Sequence, residues 1–252
     1  MEQIGLLHDG QIYDLQTAEA LNIKGDIIKA DDSKESLEIL RHSCAHMMAQ
    51  AIKELYPEAK FFVGPVVKEG FYYDFKVESK ISDEDLPTIE KKMKEIADRK
   101  LPITRHETTK EEFYEKFKND ELKQAVLKNI KDDTLTIYKQ GDFEDLCRGP
   151  HLPNTRMIRS FKLTRVAGAY LGGDEKNEMI TRIYGIAFFD KQALFDYTKM
   201  IEEAKKRDHR KLGTELELFT FNDDVGAGLP MWLPNGARLR SKLEHLLYKA
   251  HR

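Results

Sequence analysis

The first sustained amphipathic pattern in the chain runs from Leu37 to Leu55. Leu37, Leu40, Cys44, Met48, Ala51 and Leu55 recur with the period of a helix that buries one face. Asp32 and Glu35 stand at the spacing of a capping pair and Pro57 marks the end, so the helix is expected between them. Inside it His42 and His46 are four residues apart, which projects both side chains from one face. At 3.6 residues per turn that face lies roughly 140–180° from the apolar stripe. The histidines therefore face water, or a cleft that another part of the chain completes.

Residues 1–31 read as short strands with a hairpin turn at Asp9-Gly10, too small to bury a core of their own. Ala59–Val77 reads as two strands around Lys68-Glu69-Gly70, with Phe71, Tyr73 and Phe75 on one side and Tyr72, Asp74 and Lys76 on the other. Ser82 caps a helix whose stripe is Leu86, Ile89, Met93 and Ile96. A strand at Leu101–His106, one or two helices over Thr109–Ile130 and a strand at Thr134–Lys139 follow. Asp142–Pro153 is expected to be an ordered loop, because Gly149, Pro150 and Pro153 oppose regular structure. Phe161–Leu171 and Met179–Phe189 read as strands with Gly172-Gly173-Asp174 as the turn. Hairpins mixed with separate helices predict an α+β fold and not a repeating βαβ one. Asp190–Leu212 reads as one long helix with the basic run Lys205, Lys206, Arg207, Arg210 and Lys211, suited to phosphates or to the helix macrodipole. An irregular stretch rich in Gly and Pro leads to a last helix, Ala237–Arg252. Its stripe of Leu239, Leu243, Leu246 and Leu247 has no evident partner in this chain.

Composition narrows the function classes. The 252 residues suffice for one or two domains, and a net charge of −3 means that RNA contact would need local basic patches. Two cysteines make no disulfide framework and fit a reducing cytoplasm. The start MEQIGLLHDG has no signal-peptide pattern, and no stretch approaches a membrane span.

Cys147 and His151 are the candidate partners of the helical histidines. H-x-x-x-H with C-x-x-x-H supplies four zinc-type ligands, or equally a set of groups that hold water and move protons. Asp145 points to the same side as Cys147 if that segment is extended, and would orient a histidine or a hydroxyl. A metalloprotease reading fails, because the glutamate that H-E-x-x-H needs is replaced by Ser43. A thiol nucleophile would rely on Arg148 to lower the Cys147 pKa, and nothing else marks a protease. Cys44 belongs to the apolar stripe.

HSCAH (42–46), GFYYDF (70–75), DLCRGPH (145–151), AGAYLGGD (167–174), TRIYGIAF (181–188) and AKKRDHRKLG (204–213) occur in the order and spacing of the bacterial threonyl-tRNA synthetase family, which the chain resembles from the opening helix to its end. The resemblance implies a remnant of an N-terminal ubiquitin-like domain at 1–31 and an editing domain at 32–189. A linker helix at 190–213 and the start of a class II catalytic domain at 214–252 would follow. It implies a fragment, which would leave the stripe of the last helix uncovered. Carried over by position, the editing site comprises His42, His46, Cys147 and His151, with Tyr73, Lys123 and Asp145 beside them. Lys205, Lys206, Arg207 and Arg210 would contact tRNA. No cofactor is expected in the fragment, although zinc on the tetrad is an open alternative, as in similar tetrads of alanyl-type modules. ATP, magnesium and the synthetic zinc would belong to the missing catalytic domain. The implied partner is the acceptor end of threonine tRNA, in a cytoplasmic enzyme that is a homodimer at full length. Implied roles are proton routing and oxyanion donation by the histidines, oxyanion or adenosine binding by Lys123, base stacking by Tyr73 and ammonium binding by Asp145. Two other classes stay open: a zinc-dependent hydrolase of another small ester or amide, and a non-catalytic tRNA-binding module that also uses Arg156–Arg165.

Overall fold

In the computed structural model, Asp9 and Gly10 both take positive φ (48° and 76°) and join β1 (Gln3–His8) to β2 (Gln11–Asp14) as an antiparallel hairpin, the turn an Asp-Gly pair favours. The structure describes residues 2–128, 130, 133–222, 224–226 and 228–251. A short helix the pattern did not predict, α1 (Leu15–Ala20), follows at once, because Asp14 caps it by accepting the Thr17 amide at 2.8 Å. β3 (Asp26–Lys29) returns along the other edge of β1. Ile4 and Ile28 of this small sheet join the main core, so the segment shares a core that it could not build alone.

The predicted central helix is α2 (Lys34–Leu55). Leu40, Cys44, Met48 and Ala51 are buried as expected, but so are Ile39, Ser43, His46 and Met47, so the helix is enclosed on more than one face. The expected capping pair does not form. Ser33 occupies the cap position without a side-chain bond, and Asp32 instead accepts the Phe189 and Asp190 amides at 2.7 and 3.3 Å. A tertiary contact has claimed the carboxylate that a local reading assigns to the helix end.

Next come β4 (Lys60–Phe61), β5 (Val66–Val67) and β6 (Gly70–Lys76). The alternation in β6 is as predicted: Phe71, Tyr73 and Phe75 are in the core, and Asp74 on the other face is buried by its paired contacts with Arg182 at 2.6 and 2.7 Å. Ser82 and Asp85 form a capping box just before α3 (Leu86–Arg99), whose Leu86, Ile89, Met93 and Ile96 are buried. β7 (Ile103–Thr109) leads to two helices, α4 (Lys110–Lys116) and α5 (Glu121–Lys128). The expected helicity at Asn129 lies outside the described residues. β8 (Thr134–Gln140) and β9 (Phe143–Leu146) complete an antiparallel sheet of order β7-β8-β9. The stretch expected to be all loop is thus a strand up to Leu146, because its backbone pairs with Ile137–Gln140, and only the Gly-Pro part beyond is irregular. β10 (Ser160–Tyr170) and β11 (Met179–Phe188) extend the larger antiparallel sheet, order β10-β11-β6-β4 with β5 also paired to β6. Residues of α2 and α3 fill one core with this sheet, while Phe113, Leu127, Leu135 and Ile137 form a satellite core under α4 and α5.

The chain divides into two compact units, residues 1–194 and 195–252. The expected long helix is broken into α6 (Lys191–Lys206) and α7 (His209–Glu215), since Asp208 accepts the Arg210 amide at 2.9 Å and caps a new start. A hairpin of β12 (Phe219–Phe221) and β13 (Pro230–Trp232) occupies the stretch read as irregular; strands of three residues are too short to leave a periodic signal. α8 (Pro234–Ala250) starts with Pro at its first turn, three residues earlier than predicted, and its expected end at Arg252 lies outside the described residues. Leu239, Leu243, Leu246 and Leu247 are exposed by 49–63%. No helix among the described residues is long and apolar enough to cross a membrane.

Candidate active site

α2 delivers His42 and His46, and the loop after β9 delivers Cys147 and His151. Cys147 Sγ lies 3.1 Å from His42 Nε2 and 3.2 Å from His151 Nε2. The His151 ring centre is 4.4 Å from that of His42 and 4.3 Å from that of His46. One ligand-type atom from each of the four residues falls within 4.8 Å of the others. The loop reaches this position because Gly149 has a φ of 77° and lies against the Tyr138 hydroxyl and Asp14 carboxylate, where a Cβ would come within 2.6 and 2.8 Å. From there the Gly149 amide donates to Sγ at 3.2 Å.

Burial dominates the electrostatics. Desolvation lowers the His42 pKa to about 4, with Asp14 and Asp145 acting in the opposite direction. It lowers that of His46 to about 3, helped by neighbouring His42. His151 is held well below its ordinary value, first by burial and then by the other two histidines. The Cys147 thiol is pushed up by burial, so the lowering expected from Arg148 does not occur. Near neutral pH the cluster is three neutral imidazoles and a thiol, a set that accepts and passes protons. A thiolate nucleophile is disfavoured.

These shifts carry a stability prediction. The unfolded histidines bind protons near pH 6.5 and the folded ones only near 3–4, so the unfolded state holds more protons between those values. Stability of metal-free protein should be intact above about pH 6.5 and fall as pH drops toward 4. Urea midpoints measured across that range should show the slope, and His46→Gln should flatten it.

His46 is 4% exposed and has no hydrogen-bond partner among the described residues; its neighbours are the rings of His42, His151, Tyr73 and Phe143. An unpartnered buried imidazole among two others and a thiol fits water or a zinc ion. Behind it lies a closed polar group. Tyr73 Oη and Lys123 Nζ both donate to Asp145, which also accepts the Leu146 amide at 2.7 Å. All three side chains are buried. Asp145 thus holds both the Lys123 ammonium and the Tyr73 hydroxyl. Tyr73 offers no face to a base: Phe61 packs edge-on with a 5.6 Å ring separation, and Gly64 lies so close that a Cβ would approach the ring to 2.4 Å. A recess of about 510 Å³ bounded by Phe61, Phe117, Phe143 and Arg99 reaches Lys123 and Asp145.

Sequence reasoning assigned no function to Asp14 or Tyr138. Asp14 Oδ2 accepts the backbone amide of His151 at 2.9 Å and the Tyr138 hydroxyl at 2.7 Å, and the Tyr138 ring lies 4.4 Å from that of His151. The local signal at Asp14 is that of a helix cap; nothing in the sequence links it to a loop 137 residues away. Asp14→Ala should cost about 1–3 kcal/mol, the penalty for stranding buried donors, visible as a lower urea midpoint.

The basic run lies in the other unit. There Lys206 pairs with Glu203 at 2.8 Å and Arg210 with Asp208 at 3.1 Å. Lys205 and Arg207 are exposed.

Residues 135–184, from β8 into β11, match the second additional domain of threonyl and alanyl tRNA synthetases. Two of the four clustered residues, Cys147 and His151, fall inside that span, as does Asp145 behind them. Along its whole length the chain matches the N-terminal part of threonine–tRNA ligases, as its motifs imply. It is 67% identical over 251 residues to the threonine–tRNA ligase of Campylobacter jejuni (strain RM1221), covering 100% of this chain and 41% of the relative. Identity is 72% over 222 residues with that of Campylobacter lari, covering 88% and 37%, and 65% over 249 residues with that of Helicobacter hepaticus, covering 99% and 41%. The chain thus spans about two-fifths of the length of these ligases.

Proposed function

We propose that the first unit is an aminoacyl-ester hydrolase that removes serine wrongly attached to threonine tRNA. The observation that carries the reading is the convergence of His42, His46, Cys147 and His151 from two distant segments into one cluster, with His46 and His151 buried and His42 and Cys147 half-buried. Hydrolysis of an aminoacyl ester needs a held water, a group that takes its proton, donors toward the developing oxyanion and a proton for the ribose oxygen. Neutral imidazoles at neutral pH suit both directions of proton transfer. A hydroxyl-bearing analogue lacking one methyl is discriminated by only ~1–3 kcal/mol in a binding pocket, or roughly 10–200-fold, so a ligase for threonine gains from a second site that hydrolyses the smaller product.

The recess beside Lys123 has the size of a nucleoside site and is read as the place of the terminal adenosine. Lys205, Lys206, Arg207 and Arg210 are assigned to tRNA phosphates. ATP and magnesium use, a synthetic zinc site, homodimer formation and a cytoplasmic location are proposed for the whole ligase. His42, His46, Cys147 and His151 would also hold zinc, which supplies a polarised water when bound. A zinc-dependent hydrolase is the second reading, favoured by the unpartnered His46 ring. Metal analysis of the purified chain, with activity before and after chelation, separates the two.

The test of the main reading is single-turnover deacylation of threonine tRNA charged with serine or with threonine. The seryl ester should be cleaved and the threonyl ester spared. Equal rates for both esters, or none for either, would remove the proposal.

A further inference from the structure

Ser43 stands between the two helical histidines and is fully buried. In the sequence it marks only the place where a metalloprotease would carry glutamate. Its hydroxyl oxygen makes three contacts: the Ile39 carbonyl at 2.9 Å, the Leu152 amide at 2.8 Å and His151 Nδ1 at 3.3 Å. A hydroxyl has one proton and two acceptor positions. The Ile39 carbonyl brings no proton, so the hydroxyl proton must lie on that contact. The Leu152 amide brings its own. His151 Nδ1 then meets a lone pair, and that contact is attractive only if the ring donates.

We infer that Ser43 is a positioning residue that holds neutral His151 as the Nδ1–H tautomer and leaves the lone pair on Nε2, the nitrogen beside Cys147. The same contacts set the ring orientation. A half-turn of the imidazole would withdraw both nitrogens and turn carbons toward Ser43 and Cys147. The hydroxyl also ties the loop to α2, since the Leu152 amide follows His151 directly. Any proton His151 takes up from a water, or any ligand it binds in the cluster, therefore meets Nε2. The consequence for turnover rests on the hydrolase reading; the tautomer itself does not.

The test combines long-range proton–nitrogen correlation spectra of protein carrying nitrogen-15 histidine, stripped of metal with EDTA, with deacylation kinetics. The His151 signals are assigned by their loss in His151→Gln. At pH 7.5 the unmodified chain should show His151 protonated at Nδ1 alone. Ser43→Ala should shift it toward the Nε2–H form and lower kcat for the seryl ester by on the order of 10²-fold, with KM within about twofold. Ser43→Thr, which keeps the hydroxyl and its back-bond to the preceding turn, should restore both. An Nε2–H ring in the unmodified chain, or an unchanged tautomer in Ser43→Ala, overturns the assignment. If Ser43→Ala does not fold, because it strands the Leu152 amide, the spectrum of the unmodified chain still decides. If the chain cleaves no aminoacyl ester, the hydrolase reading falls and the spectra still judge Ser43.

Discussion

Cys147→Ala and His46→Ala are each expected to slow deacylation of seryl-tRNA by about 10²–10⁴-fold, the usual contribution of a positioned proton-transfer group, while tRNA affinity stays within about twofold. His46 is the ring without a hydrogen-bond partner among the described residues, so its removal takes away a binding atom and leaves no protein donor or acceptor stranded. Cys147 accepts the Gly149 amide and contacts two histidines, so its loss removes the group that links His42 to His151. Neither residue belongs to a basic surface that would follow the RNA backbone. Binding should instead come from a few phosphate contacts and weaken steeply with salt, given a net charge of −3. Single-turnover rates and filter-binding affinities measured in parallel check this. A fall in affinity as large as the fall in rate would make these residues RNA-holding groups.

The second large effect is on stability. Lys123→Met should destabilise the first unit by about 3–5 kcal/mol, the cost of breaking a buried ion pair from one side. Lys123 is 4% exposed and Asp145 2%, so the carboxylate left behind cannot recover its partner from water. Tyr73 and the Leu146 amide would still donate to it, but neither carries a charge. Replacing both members, Lys123→Met with Asp145→Leu, should recover part of the loss, because no buried charge then remains. Urea unfolding of the unmodified chain, the single variant and the double variant measures the coupling. A loss below about 1 kcal/mol in Lys123→Met, the range of an exposed pair, would mean that the pair is open to solvent.

The local pattern was sufficient for the elements whose own side chains fill a core. The α2 stripe, the in-out alternation of β6, the Ser82 cap ahead of α3 and the Asp9-Gly10 hairpin follow from spacing and turn chemistry, which act over a few residues. The α+β class follows from the same elements taken together. The four residues of the cluster were legible as two pairs, because each pair has a helical or loop spacing that needs no tertiary information. The motif strings joined the pairs to a family.

Tertiary structure decided everything that depends on who else needs a group. Asp32 had the spacing of a cap, yet the Phe189 and Asp190 amides took its oxygens. Asp145 and Lys123 looked available to a substrate, yet they hold each other, because two opposite charges brought out of water must pair. Arg148 stood beside Cys147 in the sequence, but desolvation outweighs any charge there and keeps the thiol protonated. The segment before residue 32 was too small to bury a core of its own, and only folding brings Asp14 beneath the His151 loop. Hydrogen-bond partners and burial are properties of the packed chain. A sequence fixes which groups exist and their local spacing; which of them are left free to meet a ligand is settled only when the distant segments have closed on one another.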